Sequence, residues 1–343
     1  MKRLCLFMLL LTMLNSSLIH AQSLFPEDPP AARIDWHPDG EMLAVSDGAA
    51  TVRIVDANDL LPLNSLPKFP PLVSAVRWSD SGDHLAIASE WSIQIWEQPW
   101  DAQQAELVMS LEVPDVPGRI TIQSIDWNDV DWQLLAVARG RIFIWDTQTG
   151  QLLRTIEPYT TAMLSALWSD DGSRLASGNL TGYVLVEELV MQELGGGDTL
   201  DFDGILALEW DPNGEELAVG TNSGLIQFFS GKGRRFQTNG RDFESGSRIL
   251  SLDWHPNKNL LAVGNLDGEV EIWDTETRDL VTRVSTDLRV TSVVWSPDGS
   301  TLAYNNGTDI SIIPLSEIIA SVPTAVFTST ATNLPTPTRT PFR

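Results

Sequence analysis

The sequence predicts an all-β fold in which seven similar four-stranded antiparallel sheets are arranged in a ring. Three observations predict it: a tryptophan followed by a turn recurs along the chain, short apolar strands flank each turn, and several strands are apolar on both faces. A repeat of about 40 residues is typical of proteins built from stacked supersecondary units. The recurring tryptophans are Trp36, Trp78, Trp127, Trp168, Trp210, Trp254 and Trp295.

The turn after each tryptophan connects the first two strands of a unit. In the first unit, WHPDGEMLAVS, Pro38 presets φ for the second turn position, Asp39 suits the third, and Gly40 accepts the positive φ that follows. Such a turn between two apolar runs is typical of a β-hairpin.

A second hairpin completes each unit. Its third strand follows a short loop and is predicted at 52–56, 93–97, 141–146, 183–187, 225–229, 270–274 and 310–314. A weaker fourth strand follows in most units, for example at 150–158 and 278–285. Each unit is therefore a meander of about 42 residues.

The composition of the strands requires cover on both faces of each sheet. The runs RIFIW (141–145) and LLAVG (260–264) do not alternate between apolar and polar residues. One unit cannot bury both of its faces, whereas neighbouring sheets in a ring can. The recurring tryptophans are accordingly interpreted as packing residues.

The ends of the third strands carry a family signature. Trp145-Asp146 and Trp273-Asp274 end two of them, and Trp96-Glu97 is a near match. Together with the Trp–turn–Leu-Ala spacing, these residues resemble the WD-repeat β-propeller family over about residues 32–328. The resemblance implies a seven-bladed β-propeller with four-stranded antiparallel blades. No Gly-His pair precedes the first strands, so the His-Asp network that stiffens many blades of that family is not expected.

The first 21 residues are interpreted as a secretory signal peptide. Two basic residues precede an apolar run from Leu4 to Leu14, and Ala21 is a plausible cleavage point. The run is too short for a membrane span. We therefore expect an exported protein, extracellular, periplasmic or at the cell surface, with no membrane span after cleavage. Cys5, the only cysteine, would leave with the signal, so no disulfide is expected.

Two segments bear on how the ring closes. Residues 22–31 form an N-terminal segment with three prolines, which suit a central strand poorly. Residues 324–330, TAVFTST, are a better strand and are favoured to complete the last blade. The Thr/Pro-rich tail 329–343 is predicted to be extended and disordered, either as a surface spacer or as a linker.

The charge balance narrows the range of partners. The chain has 46 acidic and 22 basic residues, a formal net charge of −24. A phosphate backbone would be repelled by this field, so no nucleic-acid partner is expected. The acidity is also consistent with a soluble monomer.

Few residues suggest catalysis or metal binding. His37, His84 and His255 all lie near first-hairpin turns and are interpreted as turn-capping residues rather than zinc ligands or part of a catalytic triad. Asp198, Asp201 and Asp203 form an acidic loop that fits either a solvated turn or calcium. No metal or cofactor is therefore expected. Two sequons, at Asn179 and Asn306, fall in predicted exposed loops.

Three tryptophans lie outside the repeat: Trp91, Trp100 and Trp132. Trp100 and Trp132 are predicted on one rim of neighbouring blades and form one candidate interaction patch, although packing of irregular loops is the alternative. Propellers of the resembling family more often bind partners around the channel mouth on the opposite face. The loops there would present Trp91, Arg119, Arg139, Tyr159, Phe243 and Arg289.

The resemblance favours a non-catalytic protein-interaction scaffold with unidentified protein partners. One alternative is a propeller enzyme of the hydrolase or lactonase type with a metal in the central channel. The residues before the recurring tryptophans, as in SAVRW and TSVVW, are read as mostly small or apolar and argue against it. Another alternative is carbohydrate binding by the surplus tryptophans.

Overall fold

Seven antiparallel sheets follow one another along the chain, as the sequence predicts. The computed structural model describes residues 33–320 except 48–49, 71, 115–120, 158–162, 189–192, 200–202, 232–235 and 307–308. The predicted signal peptide, the N-terminal segment, the candidate closing strand and the Thr/Pro-rich tail therefore lie outside the described residues. In each sheet, here called a blade, the strands are hydrogen-bonded in chain order.

Blades 1 to 4 each contain four strands. Blade 1 consists of β1 (Arg33–Trp36), β2 (Met42–Ser46), β3 (Val52–Asp56) and β4 (Pro62–Ser65). Blade 2 consists of β5 (Val73–Trp78), β6 (His84–Ser89), β7 (Ser92–Glu97) and β8 (Glu106–Glu112). Blade 3 consists of β9 (Ile122–Asn128), β10 (Gln133–Ala138), β11 (Arg141–Asp146) and β12 (Leu152–Ile156). Blade 4 consists of β13 (Met163–Trp168), β14 (Arg174–Asn179), β15 (Tyr183–Glu188) and β16 (Glu193–Thr199).

Blades 5 to 7 vary at their outer edge. Blade 5 consists of β17 (Ile205–Trp210), β18 (Glu216–Thr221), β19 (Leu225–Ser230) and two short segments that both pair with β19, β20 (Gln237–Thr238) and β21 (Phe243–Glu244). Blade 6 consists of β22 (Ile249–Trp254), β23 (Leu260–Asn265), β24 (Glu269–Asp274) and β25 (Leu280–Ser285). Within the described residues, blade 7 has three strands, β26 (Val293–Trp295), β27 (Thr301–Asn306) and β28 (Asp309–Pro314), followed by helix α1 (Leu315–Ala320).

The ring closes between blades 7 and 1. Trp36 Nε1 donates to the carbonyl oxygen of Val294 at 3.0 Å, and Arg33 Nη1 donates to that of Thr291 at 2.7 Å. Helix α1 was not predicted, and its buried Ile318 packs into the core between blades 6 and 7.

The hydrophobic core is divided among the seams between blades. Each of the seven seams holds a cluster of buried apolar side chains contributed by both adjacent blades. The seven recurring tryptophans are only 3–8% exposed, which confirms their packing role. Burial of apolar area on this scale stabilises the ring without disulfides.

The turns define two faces of the ring. The first-hairpin face carries the turns at 37–41, 79–83, 128–132, 169–173, 211–215, 255–259 and 296–300, and the second-hairpin face carries the turns between second and third strands, such as 90–91 and 139–140. Gly40 has φ of 74° and its N–H donates to the carbonyl oxygen of His37 at 2.9 Å, as the turn chemistry predicts.

Candidate interaction site at the channel mouth

The residue before each recurring tryptophan lines the central channel. These residues form the wall of a cavity of about 420 Å³ that opens on the first-hairpin face. Four of the seven are acidic and one is basic. They are Asp35, Arg77, Asp126, Leu167, Glu209, Asp253 and Val294.

Strand alternation gives these channel residues their contacts. Successive side chains on a strand point to opposite faces. Trp36 therefore faces blade 7, and Asp35 faces blade 2, where its Oδ2 accepts a hydrogen bond from the backbone N–H of Trp78 at 2.7 Å. Two further seams repeat this bond, with Asp126 accepting from Trp168 at 2.8 Å and Asp253 accepting from Trp295 at 2.5 Å.

Arg77 connects two of the channel carboxylates. Its Nη1 lies 3.4 Å from Asp35 Oδ1 and its Nε lies 3.2 Å from Asp126 Oδ1. Both carboxylates are largely buried, whereas about a third of the Arg77 side chain is exposed. Arg77 therefore offsets part of the negative charge of blades 1 to 3, while Glu209 and Asp253 lie on blades 5 and 6.

The channel carboxylates have raised pKa values. Burial raises the pKa of Asp35 to about 6, against the opposing effect of Arg77. Burial also raises the pKa of Asp126, and that of Glu209 is raised by burial and by the neighbouring charge of Asp253. Burial lowers the pKa of Arg77, but the surrounding acids, led by Asp35 and Asp126 and joined by Glu209 and Asp253, together raise it more, so Arg77 remains a cation. The mouth thus has an excess of acid groups that a further cation would stabilise in the ionised form.

A second cavity, here called the blade 3–4 groove, opens beside the channel mouth. It measures about 520 Å³ and lies between the outer part of blade 3 and the first turn of blade 4. Val130 and Leu153 line it and are 63% and 48% exposed. Arg154, also in its wall, pairs with the buried Glu187 of blade 4 at 2.6 Å. Trp168 lines both this groove and the channel mouth.

The opposite end of the channel has a different charge. Arg33 spans the ring seam there, since its Nε donates to the carbonyl oxygen of Ser74 and its Nη1 to that of Thr291. Burial lowers the pKa of Arg33, and the nearby Arg289 lowers it further. Basic groups therefore meet at the second-hairpin end, and acidic groups at the first-hairpin end.

Comparison with known proteins finds one partial match to a family model and several distant relatives. The family model described as "Anaphase-promoting complex subunit 4 WD40 domain" matches residues 9–81 and 232–297. A periodic tryptophan protein 2 homolog of Caenorhabditis elegans is 23% identical over 201 residues, which is 58% of this chain and 21% of that protein. An intraflagellar transport protein 122 homolog of Danio rerio is 24% identical over 58% of this chain and 16% of its own length. The chain thus spans about a fifth or less of these relatives.

Solved structures show the same fold. A chain of the crystal structure titled "Mitotic Checkpoint Complex" superposes with a TM-score of 0.72 at 20% identity, covering 84% of this chain and 87% of that one. The β-propeller domain of Cps50 (Swd1) from Myceliophteria thermophila gives a TM-score of 0.72 at 15% identity, covering 83% and 96%.

The chain is thus similar to WD-repeat β-propeller proteins over part of its length. The seven-bladed β-propeller that the sequence predicts is confirmed. At three seams, the propeller joins its blades through a hydrogen bond from the backbone of the next blade to a channel aspartate. The sequence has no Gly-His pair before its first strands to supply the other kind of blade network.

The propeller also links its first turns from blade to blade. His37 Nε2 bonds the carbonyl oxygen of Gly82 at 3.0 Å, and His255 Nε2 bonds that of Gly299 at 3.0 Å. Asn128 Nδ2 bonds the corresponding Gly172 carbonyl oxygen at 3.3 Å. These bonds agree with the capping role predicted for two of the histidines. His84 has a different position and lies against Trp127, with ring centroids 6.5 Å apart.

The first predicted interaction set is only partly presented on the second-hairpin face. Trp91 is 44% exposed and Arg139 is exposed, in the two-residue turns of blades 2 and 3. Phe243 corrects the prediction, because it is 4% exposed and stacks on Trp273 at 5.2 Å in the core between blades 5 and 6. Arg289 is half-buried next to the closing seam, where it lies near Arg33. Arg119 and Tyr159 lie outside the described residues.

The second predicted patch separates into a packing residue and a surface residue. Trp100 is half-buried against the rings of Trp78 and His37, with centroids 5.9 and 5.4 Å away, so it fits the packing alternative. Trp132 is 55% exposed and has φ of 56°, unusual for a bulky residue. Trp132 therefore remains a candidate contact residue on the first-hairpin face.

The other predicted sites are mostly structural where the structure describes them. Both carboxylate oxygens of Asp203 accept hydrogen bonds from Ser223, and the side chains of Asp198 and Asp201 lie outside the described residues. Asn179 is 2% exposed and accepts a hydrogen bond from the Tyr183 N–H, which corrects the expectation of an exposed sequon. The Asn306 sequon lies largely outside the described residues.

Among the side chains that are described, no group of three His, Cys, Asp or Glu is arranged to hold a metal ion. No helix in the described ranges is both long and apolar enough to cross a bilayer.

Sequence reasoning missed the acidic channel. The quoted stretches around the recurring tryptophans suggested small or apolar residues, yet the position directly before them reads D, R, D, L, E, D and V around the ring. Comparing this single position across all seven units would have found the signal.

Proposed function

We propose that this protein is an exported, non-catalytic scaffold that binds other proteins. The observation that carries the proposal is the presentation of large apolar side chains, Val130 at 63% and Trp132 at 55% exposure, on a ring whose blades are packed at every seam. Exposed aromatic residues on a rigid frame are typical of interaction surfaces. One structural neighbour is a chain of a mitotic checkpoint complex, which supports the proposal by analogy.

Cross-linking mass spectrometry tests the scaffold proposal. The purified full chain, with a short-arm cross-linker, is incubated with the secreted and envelope proteins of the producing cell. We expect at least one protein to be cross-linked to residues of the first-hairpin or second-hairpin face, at levels above those of an unrelated acidic protein. Absence of any enriched partner at native abundance, with a folded chain, would contradict the scaffold proposal.

Export is proposed on the basic start and apolar run of residues 1–21. Fractionation of the producing cell followed by N-terminal sequencing tests it. We expect a chain that starts near Gln22 in the medium, the periplasm or on the surface. Recovery of the uncleaved chain in the cytosol would contradict export.

The acidic channel favours one rival, an enzyme with a metal in the channel. Asp35, Asp126 and Asp253 each accept a backbone N–H and two of them contact Arg77, so these carboxylates already have structural partners. Metal analysis of the purified, undialysed protein distinguishes the two functions. A stoichiometric calcium or zinc that is lost in Glu209→Gln would favour the enzyme.

A further inference from the structure

The two cavities of the first-hairpin face form one continuous surface. Trp168 is a wall of both, and the first turn of blade 4 places Asp170 at the channel mouth and Asp171 in the blade 3–4 groove. The indole Nε1–H of the 4% exposed Trp168 has no acceptor among the described residues. A chain segment in the groove therefore reaches the channel mouth by continuing past this shared wall.

The groove has an apolar lip that the repeat does not require. This lip consists of Val130 and Leu153 in the groove wall and of Trp132, which lies outside the wall but between two of its residues in the sequence. In blade 3, the sequence NDVDW (128–132) replaces the glycine turn found in blade 1, which brings Val130 and Trp132 to the surface. Trp132 has φ of 56°, which costs of order 1 kcal/mol, and its side chain is 55% exposed, so burial in the core does not explain its presence there. The exposed Leu153 lies beside Val130 in the groove wall.

The charge of this surface is negative. In the groove, hydrogen bonds from the hydroxyls of Ser169 and Ser173 lower the pKa of Asp171 to about 2, so it is ionised in the physiological range. Arg154 is already paired with Glu187. At the channel mouth, the titratable lining groups are one base, Arg77, against six acids, Asp35, Asp80, Asp126, Asp170, Glu209 and Asp253.

We infer that the blade 3–4 groove and the channel mouth together bind an extended segment of a partner protein, with an apolar side chain in the groove and a lysine or arginine at the mouth. The inference rests on the proposed scaffold function and specifies its partner. The apolar lip excludes water from the first anchor, and the uncompensated carboxylates attract the second. A basic segment also offsets the repulsion among the acids, whereas an acidic one increases it.

Selection from a phage library of random 12-residue peptides on the immobilised full chain tests the inference. We expect enrichment of peptides that carry both an aromatic or aliphatic residue and a nearby Lys or Arg. The dissociation constant of a fluorescein-labelled selected peptide is then measured by anisotropy at two salt concentrations. An acidic consensus, or no enrichment above a bare matrix, would overturn the inference.

Three variants and one control localise the binding. Val130→Ser, Trp132→Gly and Asp170→Asn are each expected to raise the dissociation constant of the selected peptide at least fivefold. Leu266→Ala, at an exposed leucine on the second-hairpin face, is expected to leave it unchanged. Trp132→Gly relieves a positive φ and Asp170→Asn removes a like charge, so neither is expected to lower the melting temperature. Equal affinity in all variants would place the peptide elsewhere and overturn the inference.

One further binding measurement tests whether the site is occupied by a partner protein or by the chain's own C-terminal sequence. Residues 332–343, TNLPTPTRTPFR, contain Phe342 between Arg339 and Arg343 and no acidic residue. The synthetic peptide of this sequence could bind more tightly than the selected peptides and lose affinity in the same variants. In that case the site binds the chain's own segment, and the inference of a partner protein is overturned. If cross-links to a native protein map to the second-hairpin face and no peptide is selected, the inference fails while the scaffold function stands.

Discussion

The Asp35 carboxylate accepts the backbone N–H of Trp78 at 2.7 Å and so joins blade 1 to blade 2 at the channel. The equivalent bonds of Asp126 and Asp253 join blades 3 to 4 and 6 to 7. The same side chains thus hold the ring together and supply the negative charge of the mouth. Stability and surface charge are therefore coupled through one set of residues.

Lowering the pH from 7.5 to 5 is expected to raise the melting temperature. Asp35 has a folded pKa of about 6, and those of Asp126, Glu209 and Asp253 are also raised. A group with a raised folded pKa contributes stability that is present at low pH and is lost as the pH rises through that pKa. Burial lowers the pKa of His255, so this one group favours the opposite change, a loss of stability as the pH falls.

Calorimetry between pH 4.5 and 8 measures this effect, and Asp253→Asn tests its origin. The amide oxygen keeps the bond from the Trp295 N–H and removes the charge, so the variant is expected to melt higher at pH 7.5 with a flatter pH profile. Asp267→Asn, at an exposed turn, serves as the matched control. A melting temperature that falls steadily from pH 7.5 to 5 in the parent would refute the prediction.

Arg77→Met is expected to destabilise the protein at pH 7.5 by about 1–3 kcal/mol, because it leaves Asp35 and Asp126 without their cation. The loss is expected to shrink at pH 5, where the carboxyl groups are protonated more readily. Urea titration at the two pH values measures it. Arg53→Met, which changes an exposed arginine on β3, is the control, and an equal loss in both variants would contradict the role of Arg77.

Gly82→Ala is expected to cost more than Gly246→Ala. Both glycines have φ near 80°, so the backbone strain of an added Cβ, about 1–3 kcal/mol, is common to both. A Cβ at Gly82 would lie 2.5 Å from His37 Nε2, whereas nothing lies within 4 Å of one at Gly246. The difference in unfolding free energy between the two variants measures the blade 1–2 contact. Equal losses of unfolding free energy in the two variants would show that the His37 side chain moves away from the added Cβ without a measurable cost.

Trp36→Phe is expected to destabilise the ring by about 1 kcal/mol more than Trp295→Phe. Both tryptophans are buried at the seam-facing end of a first strand, but Trp36 Nε1 donates to the Val294 carbonyl oxygen, while Trp295 Nε1 has no partner within the described chain. Chemical unfolding of the two variants isolates the hydrogen bond at the closing seam. A larger loss for Trp295→Phe would reverse this interpretation.

Much of the fold could be predicted from local patterns. The Trp–turn–apolar string identifies the first hairpin of every blade, because proline, aspartate and glycine each suit one position of the turn. Helix α1 was not predicted from the sequence, because what stabilises it is the packing of Ile318 into the core between blades 6 and 7. Phe243 was misplaced for a similar reason, since its stacking on Trp273 joins segments 30 residues apart in the sequence.

The sequence by itself determined the number of repeats, the hairpins and the packing role of the tryptophans, since these depend on the spacing and type of neighbouring residues. Only the tertiary structure decided which side chains share the channel mouth and the blade 3–4 groove. Their partners lie one repeat apart, or 258 residues apart at the seam of Trp36 and Val294. Ring closure brings such residues into contact, and no local pattern encodes the distances between them.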